Sequence, residues 1–289
     1  MDERAALALV GDRVAAAGDD AATVDGLVVT TDMLHERTDF PAGTTRYTAG
    51  WRAVGASLSD VAAMGAEATA AVAVYAAPAF DDGELAAFLS GCSEVCAAVG
   101  AEYVGGDLDG HDEFTVATTA VGEAADPVRR SGAEPGQAVC VTGTVGRSAA
   151  AVRLFERGGH ERANDLFRFN PRVAAGRAAA SQASAMIDSS DGLARSLHQL
   201  AAESDCGFDV TADEIPVDPA VDDVAADAAD RRELAVHFGE DFELVFTVPE
   251  TDVGAVSADA PVAVTRVGRV TDAGVRLDEE PLADRGFTH

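Results

Sequence analysis

The chain contains no lysine. All 21 of its basic residues are arginine, set against 50 aspartates and glutamates. That absence excludes whole mechanisms: a Schiff-base lysine, a Gly-Lys-Ser/Thr phosphate loop, and the strand lysine of protein kinases. Any nucleotide handled here is left to metal, arginine and backbone. Aromatic residues make up only 6% of the chain, so the core has to be built from Ala, Val and Leu. No run of 18 or more apolar residues occurs, and no charged-then-apolar leader, so the reading is a soluble, cytoplasmic protein without membrane association. A basic footprint is missing too, which argues against nucleic acid. Cysteine is sparse. Cys92 and Cys96 fall at i and i+4 of an expected helix, with Cys140 and Cys206 far away. Without a second pair at ligand spacing, they read as buried free thiols rather than zinc ligands.

Acid is what the chain has in excess. The formal charge is −29 over 289 residues. The acids are spread through periodic, foldable sequence rather than gathered in a tail. That pattern is a solvated acidic surface of the halophilic kind, where high salt screens the self-repulsion. The length and the 47% hydrophobic content suit two domains or one large one.

The stretch Met186-Ile187-Asp188-Ser189-Ser190-Asp191-Gly192-Leu193 is the centre of the pattern. Leu193, Leu197 and Leu200 follow at helical spacing, so Asp188 and Asp191 sit in a loop entering a helix N-terminus. Carboxylates there either cap the helix or hold a cation that in turn holds phosphate.

Elsewhere, residues 2–17 suggest a helix, and Gly18-Asp19-Asp20 a turn. Leu27 to Asp32 is a strand with hydroxyls and a carboxylate at its C-terminal edge, followed by a polar loop from His35 to Phe40. Thr48 to Met64 has helical spacing and carries Asp60 among apolar neighbours, where an unpaired carboxylate is costly. Strand Thr69–Tyr75 and helix Asp82–Val99 lead to Gly105-Gly106-Asp107, which is either a plain turn or a close backbone approach to a ligand. Phe114 to Val121 alternates as a strand. A second αβ series begins near Glu123 to Pro127. It holds a strand from Ala138 to Thr142, a helix through Phe155, a helix from Asn170-Pro171 to about Gln182, and a mostly irregular acidic segment from Asp205 to Asp230. Glu240, Asp241 and Glu243 precede an alternating strand, with at least one of these acids expected on a solvated face.

Asp20, Asp32, Asp60, Asp107, Asp188 and Asp191 all fall at turns, strand ends or helix starts. Spacing leaves open whether they converge. If they do, their repulsion requires cations, and an oxygen-only donor set suits several Mg²⁺ and phosphoryl transfer from a nucleotide.

Taken in order, Gly18-Asp19-Asp20, Thr30-Thr31-Asp32, Ser57-Leu58-Ser59-Asp60 with Met64-Gly65, Gly105-Gly106-Asp107, Arg130-Ser131-Gly132, Val141-Thr142-Gly143-Thr144, Asp188 with Ser190-Asp191-Gly192, and Gly239-Glu240-Asp241-Phe242 resemble the thiamine-monophosphate kinases over nearly the whole chain. Those enzymes fall in the aminoimidazole-ribonucleotide-synthetase-like superfamily. The resemblance implies an α/β (α+β) fold in two domains. Residues 1–125 would form an N-terminal ATP/Mg-binding domain with a mixed sheet that pairs with its mate's in a homodimer, and 126–289 a C-terminal α/β domain. It implies transfer from ATP to thiamine monophosphate. By position, Asp20, Thr30, Asp32, Asp60, Asp107, Asp188 and Asp191 resemble the Mg²⁺ ligands. Thr31, Gly106, Asp107, Arg130 and Ser190 match nucleotide contacts, and Asp39, Glu240 and Phe287 match substrate contacts. Asp188, Asp191 and Arg130 are the implied catalytic groups.

The chain departs from the family pattern in three places. Ala15-Ala16-Ala17 precede Gly18, a single glycine precedes Glu240, and Asp284 stands in the usual aromatic slot with Phe287 nearby. The rival readings are an aminoimidazole ribonucleotide synthetase-like or selenophosphate synthetase-like enzyme and a non-catalytic metal-binding protein. The selenophosphate enzymes carry a reactive Cys near the N-terminus, and here no Cys precedes Cys92.

Overall fold

The structure, a computed structural model, describes residues 9–11, 13–14 and 17–287. The helix expected over 2–17 therefore lies largely outside the described residues.

The first half is a five-stranded sheet with two long helices on one face. Strands β1 (Ala22–Val24), β2 (Leu27–His35), β3 (Glu67–Ala77), β4 (Glu102–Gly110) and β5 (Thr115–Glu123) run in the order β1-β2-β5-β3-β4. Only the β3–β4 pair is parallel, because the helix α3 (Asp82–Ala98) crosses over between them. A short turn of helix, α1 (Glu36–Asp39), replaces the loop expected after His35.

The long helix α2 (Arg46–Ala63) is opened by Thr45, whose side chain accepts from the N–H of Thr48. Small residues let it lie close to α3. A Cβ on Gly50 would meet the Phe88 carbonyl oxygen at 2.3 Å, and one on Gly91 the Tyr47 carbonyl oxygen at 2.1 Å. Buried on nearly every side, α2 is the central post of the molecule.

The second half is a seven-stranded sheet in the order β12-β11-β8-β10-β6-β9-β7. Its strands are β6 (Ala138–Thr142), β7 (Ala185–Asp188), β8 (Gly207–Val210), β9 (Leu244–Val248), β10 (Val264–Thr271), β11 (Gly274–Leu277) and β12 (Glu280–Pro281). Its helices are α4 (Arg147–Glu156), α5 (His160–Phe167), α6 (Val173–Ala179), α7 (Leu193–Ser204), α8 (Pro219–Val224), α9 (Ala228–Val236) and α10 (Val253–Asp259).

Period-two alternation splits the core. Cys140, Phe246 and Met186 face a cluster that continues through α2 into the first half, whereas Val139, Val141, Val245 and Ile187 pack on Leu193, Leu197 and Leu200 of α7. One apolar cluster thus joins the two halves.

Several expectations are corrected. Gly105-Gly106-Asp107 is no turn, since it lies inside β4. The helix after Asn170-Pro171 spans only Val173–Ala179. Residues before it are held off the helix by tertiary bonds, Trp51 Nε1 to the Phe169 carbonyl and Arg172 to Glu243. The segment from Asp205 to Asp230 is more ordered than its acid content suggested. Asp218 and Asp227 are helix N-caps there, and Val221 and Val224 are buried. All four cysteines are free, three of them buried, and burial pushes the Cys96 and Cys140 thiols up to about 12.

Candidate functional site

Three chain segments meet between the halves. Thr30 and Asp32 stand on β2, Asp60 ends the polar stripe of α2, and Asp188 closes β7. The Gly18–Asp20 turn reaches across to them. Oxygen atoms of Asp20, Asp60 and Asp188 lie within 4.8 Å of one another. Thr30 Oγ1 donates to Asp60 Oδ2 at 2.5 Å. Ser57 Oγ donates to Asp32 Oδ2 at 2.5 Å and contacts Thr118 Oγ1 at 2.7 Å. The strand's alternation matters here, because it puts the Thr30 and Asp32 side chains toward α2. Thr31 points to the opposite face, where its hydroxyl donates to the Thr118 carbonyl at 2.7 Å.

One cation enters the cluster. Arg130 grips Asp20 through Nε (3.2 Å) and Nη2 (3.0 Å), and its N–H donates to Asp19 at 2.9 Å. Burial alone would lower the guanidinium pKa, but the Asp20 charge and hydrogen bond reverse that and hold it high. The remaining carboxylates are left electrostatically short. Burial, then the neighbouring Asp32, Asp188 and Asp20, push Asp60 well above the usual carboxylate range. Burial and Asp20 raise Asp188 to about 8.

Asp188 is 2% exposed, and its Oδ2 has no hydrogen-bond partner among the described residues, nor does the buried hydroxyl of Ser189. The helix-capping alternative fails as well, because α7 has Gly192 at its N-cap and no side-chain cap. An all-oxygen donor set with an orphaned buried carboxylate oxygen fits Mg²⁺.

The other acidic run behaves differently. Glu240, Asp241 and Glu243 are all buried, which overturns the expected solvated strand face. The strand begins only at Leu244; before it, Glu240 and Phe242 take left-handed φ of 64° and 55°. This loop docks on the Asp188 loop by backbone bonds: Glu240 N–H to Ser190 O (2.5 Å), Phe242 N–H to Ser189 O (3.1 Å) and Ser189 N–H to Glu243 O (2.7 Å). The close fit requires glycine at 239, where a Cβ would meet Ser190 O at 2.5 Å.

Asp39, Glu240 and Phe287 line one cavity of about 460 Å³, together with Phe40, Phe167 and Phe238. Asp39 accepts from the N–H of His35 at 2.6 Å and from Thr38 Oγ1 at 2.9 Å. The C-terminal segment is tied down by the Phe287 N–H on the Asp191 carbonyl (2.9 Å) and by Asp284 on Arg195 (2.7 Å).

Asp107 and Gly106 do not join the cluster. They sit on edge strand β4, three strand spacings from β2, or about 14 Å, beside a separate recess of about 360 Å³ lined by Tyr103, Phe88 and Leu89. Sequence reasoning missed Arg52, Ser57 and Thr118. Arg52 carried a signal, since a cation flanked by Trp51, Ala53 and Val54 in the middle of a helix needs a buried anion.

The fold and this cluster define a class before they define a member. Residues 18–124 match the family described as AIR synthase related protein, N-terminal domain, and residues 134–278 match its C-terminal domain. The chain is 65% identical to the thiamine-monophosphate kinase of Halobacterium salinarum, over all of both chains. It is 34% identical to the enzyme of that name from Pyrococcus horikoshii, covering 93% of this chain and 88% of that one. Its structure resembles that of AaThiL complexed with AMPPCP and TMP, with a TM-score of 0.89 and 25% identity over 99% and 96% of the two chains. The chain belongs to the AIR synthase-related family and, within it, to the thiamine-monophosphate kinases. The two-domain α/β fold expected from sequence is the one observed.

Proposed function

We propose that this enzyme transfers the γ-phosphoryl group of ATP to thiamine monophosphate, giving thiamine diphosphate and ADP, with several Mg²⁺ bound by Asp20, Thr30, Asp32, Asp60, Asp188 and Asp191. The observation that carries the reading is the backbone bond from Glu240 N–H to Ser190 O. It fixes the rim of the aromatic cavity to the loop that bears the unpartnered Asp188 oxygen, so an acceptor in one and a nucleotide at the other would meet. The full-length likeness to a thiamine-monophosphate kinase and the nucleotide analogue and TMP bound by AaThiL support the same assignment.

The acceptor is a phosphate monoester with a second pKa near 6, so it is substantially ionised at neutral pH and needs no general base. Bound Mg²⁺ would supply charge neutralisation for two polyanions. The protein's part is positioning: Arg130 adds a fixed cation, Ser190 would meet the nucleotide, and Asp39, Glu240 and Phe287 would orient the thiamine moiety. Transfer is direct and in line, without a phosphoenzyme.

A homodimer completes the reading. The sheet face away from α2 exposes Met33, Val72, Val74 and Val104, at 37–59%, and such a face calls for a cover. Thr31 lies on this face. A second copy packed there would bring its own Asp107 and Gly106 toward the Thr31 edge, which a single chain leaves about 14 Å away.

The test is one assay in molar KCl with Mg²⁺, ATP and thiamine monophosphate. Thiamine diphosphate should form with equimolar ADP. A folded protein that binds Mg-ATP and yields no product rules out this substrate. An acid-stable phosphoprotein formed with ATP alone rules out direct transfer.

A further inference from the structure

Arg52 is 2% exposed in the middle of α2, and its charge is used up in an unusually specific way. One guanidinium nitrogen, Nη1, donates to the Phe167 carbonyl at 2.7 Å and to Ser148 Oγ at 3.3 Å. The other, Nη2, donates to the Glu240 carbonyl oxygen at 3.0 Å and to Glu240 Oε2. The guanidinium carbon lies 3.6 Å from the centroid of the Phe167 ring. Ser148 Oγ adds a second bond to the Glu240 carbonyl at 2.6 Å. Glu240 is thus held through both of its backbone groups, the N–H by Ser190 and the C=O by Arg52 and Ser148, in a left-handed conformation with φ of 64° that a glutamate rarely adopts. Both Glu240 and Phe167 line the 460 Å³ cavity.

We propose that Arg52 is a positioning residue for the acceptor substrate, acting through Glu240. It occupies Oε2 and so leaves Oε1 for the ligand. It also offsets most of the carboxylate's charge, so that Glu240 accepts an N–H from a neutral ring or faces a cationic ring without binding any free cation in its place. A planar fork is required, because two backbone carbonyls and a carboxylate are served from one side chain. A purely structural role would predict only lost stability. The inference rests on the thiamine monophosphate reading above.

The test uses full-length protein at saturating Mg-ATP, comparing wild type with R52K, R52M, E240Q and the double variant R52M/E240Q. R52M should raise KM for thiamine monophosphate roughly tenfold or more, as expected for a hydrogen bond to a charged group, with KM for ATP within about twofold. R52K keeps the charge and the stem but loses the fork, and should fall between R52M and wild type. In the E240Q background the R52M substitution should add less than about twofold, because its effect runs through that carboxylate. Equal KM increases in both backgrounds would overturn the inference. So would a fall in kcat with KM unchanged, or a lowered melting temperature with both KM values intact. If R52M does not fold, R52K and S148A decide it: an unchanged KM for thiamine monophosphate in both overturns the inference. Wild-type protein that makes no thiamine diphosphate sinks the substrate reading itself, before any variant is compared.

Discussion

At Glu240, Asp241 and Glu243 every carboxylate has a counterpart: Arg52, the N–H groups of Gly146 and Ser148, and the Arg172 fork respectively. At Asp20, Asp60 and Asp188 the only guanidinium among the described residues, Arg130, is already on Asp20. The two acidic groups are joined by loop–loop backbone bonds, yet one is matched by the protein's own donors and the other is not. Burying a charge is tolerated only when it is paired. The first group therefore belongs to the fold and to positioning. The second is incomplete without a cation from outside. Acid content alone does not mark a site; what marks it is buried acid that the rest of the chain declines to neutralise.

Removing carboxylates from the incomplete group should strike function while sparing the fold. D60N and D188N should each lower kcat by about 10³-fold, while the metal-free protein unfolds at the same or a higher temperature, because a repulsion has been removed. Loss of metal-free stability in both variants would mean that the cluster is structural after all. The neutralised group should respond in the opposite sense. R172M leaves Glu243, which also accepts from Thr142 Oγ1 at 2.6 Å, buried without its cation, and should cost about 3 kcal/mol in denaturant unfolding. A cost below about 0.5 kcal/mol would show that Thr142 and the backbone suffice.

A third test separates the groups by pH. Asp188 titrates near 8 in the folded, metal-free chain, far above its unfolded value, so between about pH 4 and 8 the folded state binds more protons than the unfolded one. Stability contributed by this group must then fall as pH rises through that window. Bound Mg²⁺ requires the ionised form, so the Mg²⁺-induced stabilisation should grow with pH, reaching on the order of 2 kcal/mol at saturating metal. Thermal melts with and without Mg²⁺ at pH 5 and pH 8 read this directly, and a Mg²⁺ effect independent of pH would contradict it.

Much of this was legible in the sequence, and for identifiable reasons. β2, β5 and β6, and the helices α2, α3 and α7, announce themselves through apolar period and caps. Asp60 stands out as an acid among apolar neighbours, and Asp20 and Asp188 as acids at a turn and at the entry to a helix. Their convergence was not legible, because it depends on two halves sharing one core through α2. Glu240, Asp241 and Glu243 were misread in part because alternation with Phe242 and Leu244 imitates a half-solvated strand. Left-handed residues at 240 and 242 break that alternation, and sequence pattern gives little sign of left-handed φ outside glycine. Arg52 escaped notice because its partners lie some 100 to 190 positions downstream, at Ser148, Phe167 and Glu240.

Asp241 offers the smallest effect and the finest discrimination. It caps α4 from a distance, with one oxygen on the Gly146 N–H at 2.5 Å and the other on the Ser148 N–H at 2.9 Å. Burial raises its carboxyl to about 7, against the opposing pull of those N–H bonds and of Arg52. An ionised cap would normally be favoured at a helix N-terminus, and here desolvation wins. D241N keeps one acceptor and loses the other, so it should cost about 1 kcal/mol at pH 5, the usual worth of a cap. Wild type loses stability as pH rises from about 4 through 7, because its folded pKa is the higher one, whereas the asparagine does not titrate. The penalty of D241N should therefore shrink between pH 5 and pH 8. If it grows instead, Asp241 is ionised in the fold below the unfolded value, and even this partnered carboxylate is held by its N–H groups more strongly than burial opposes it.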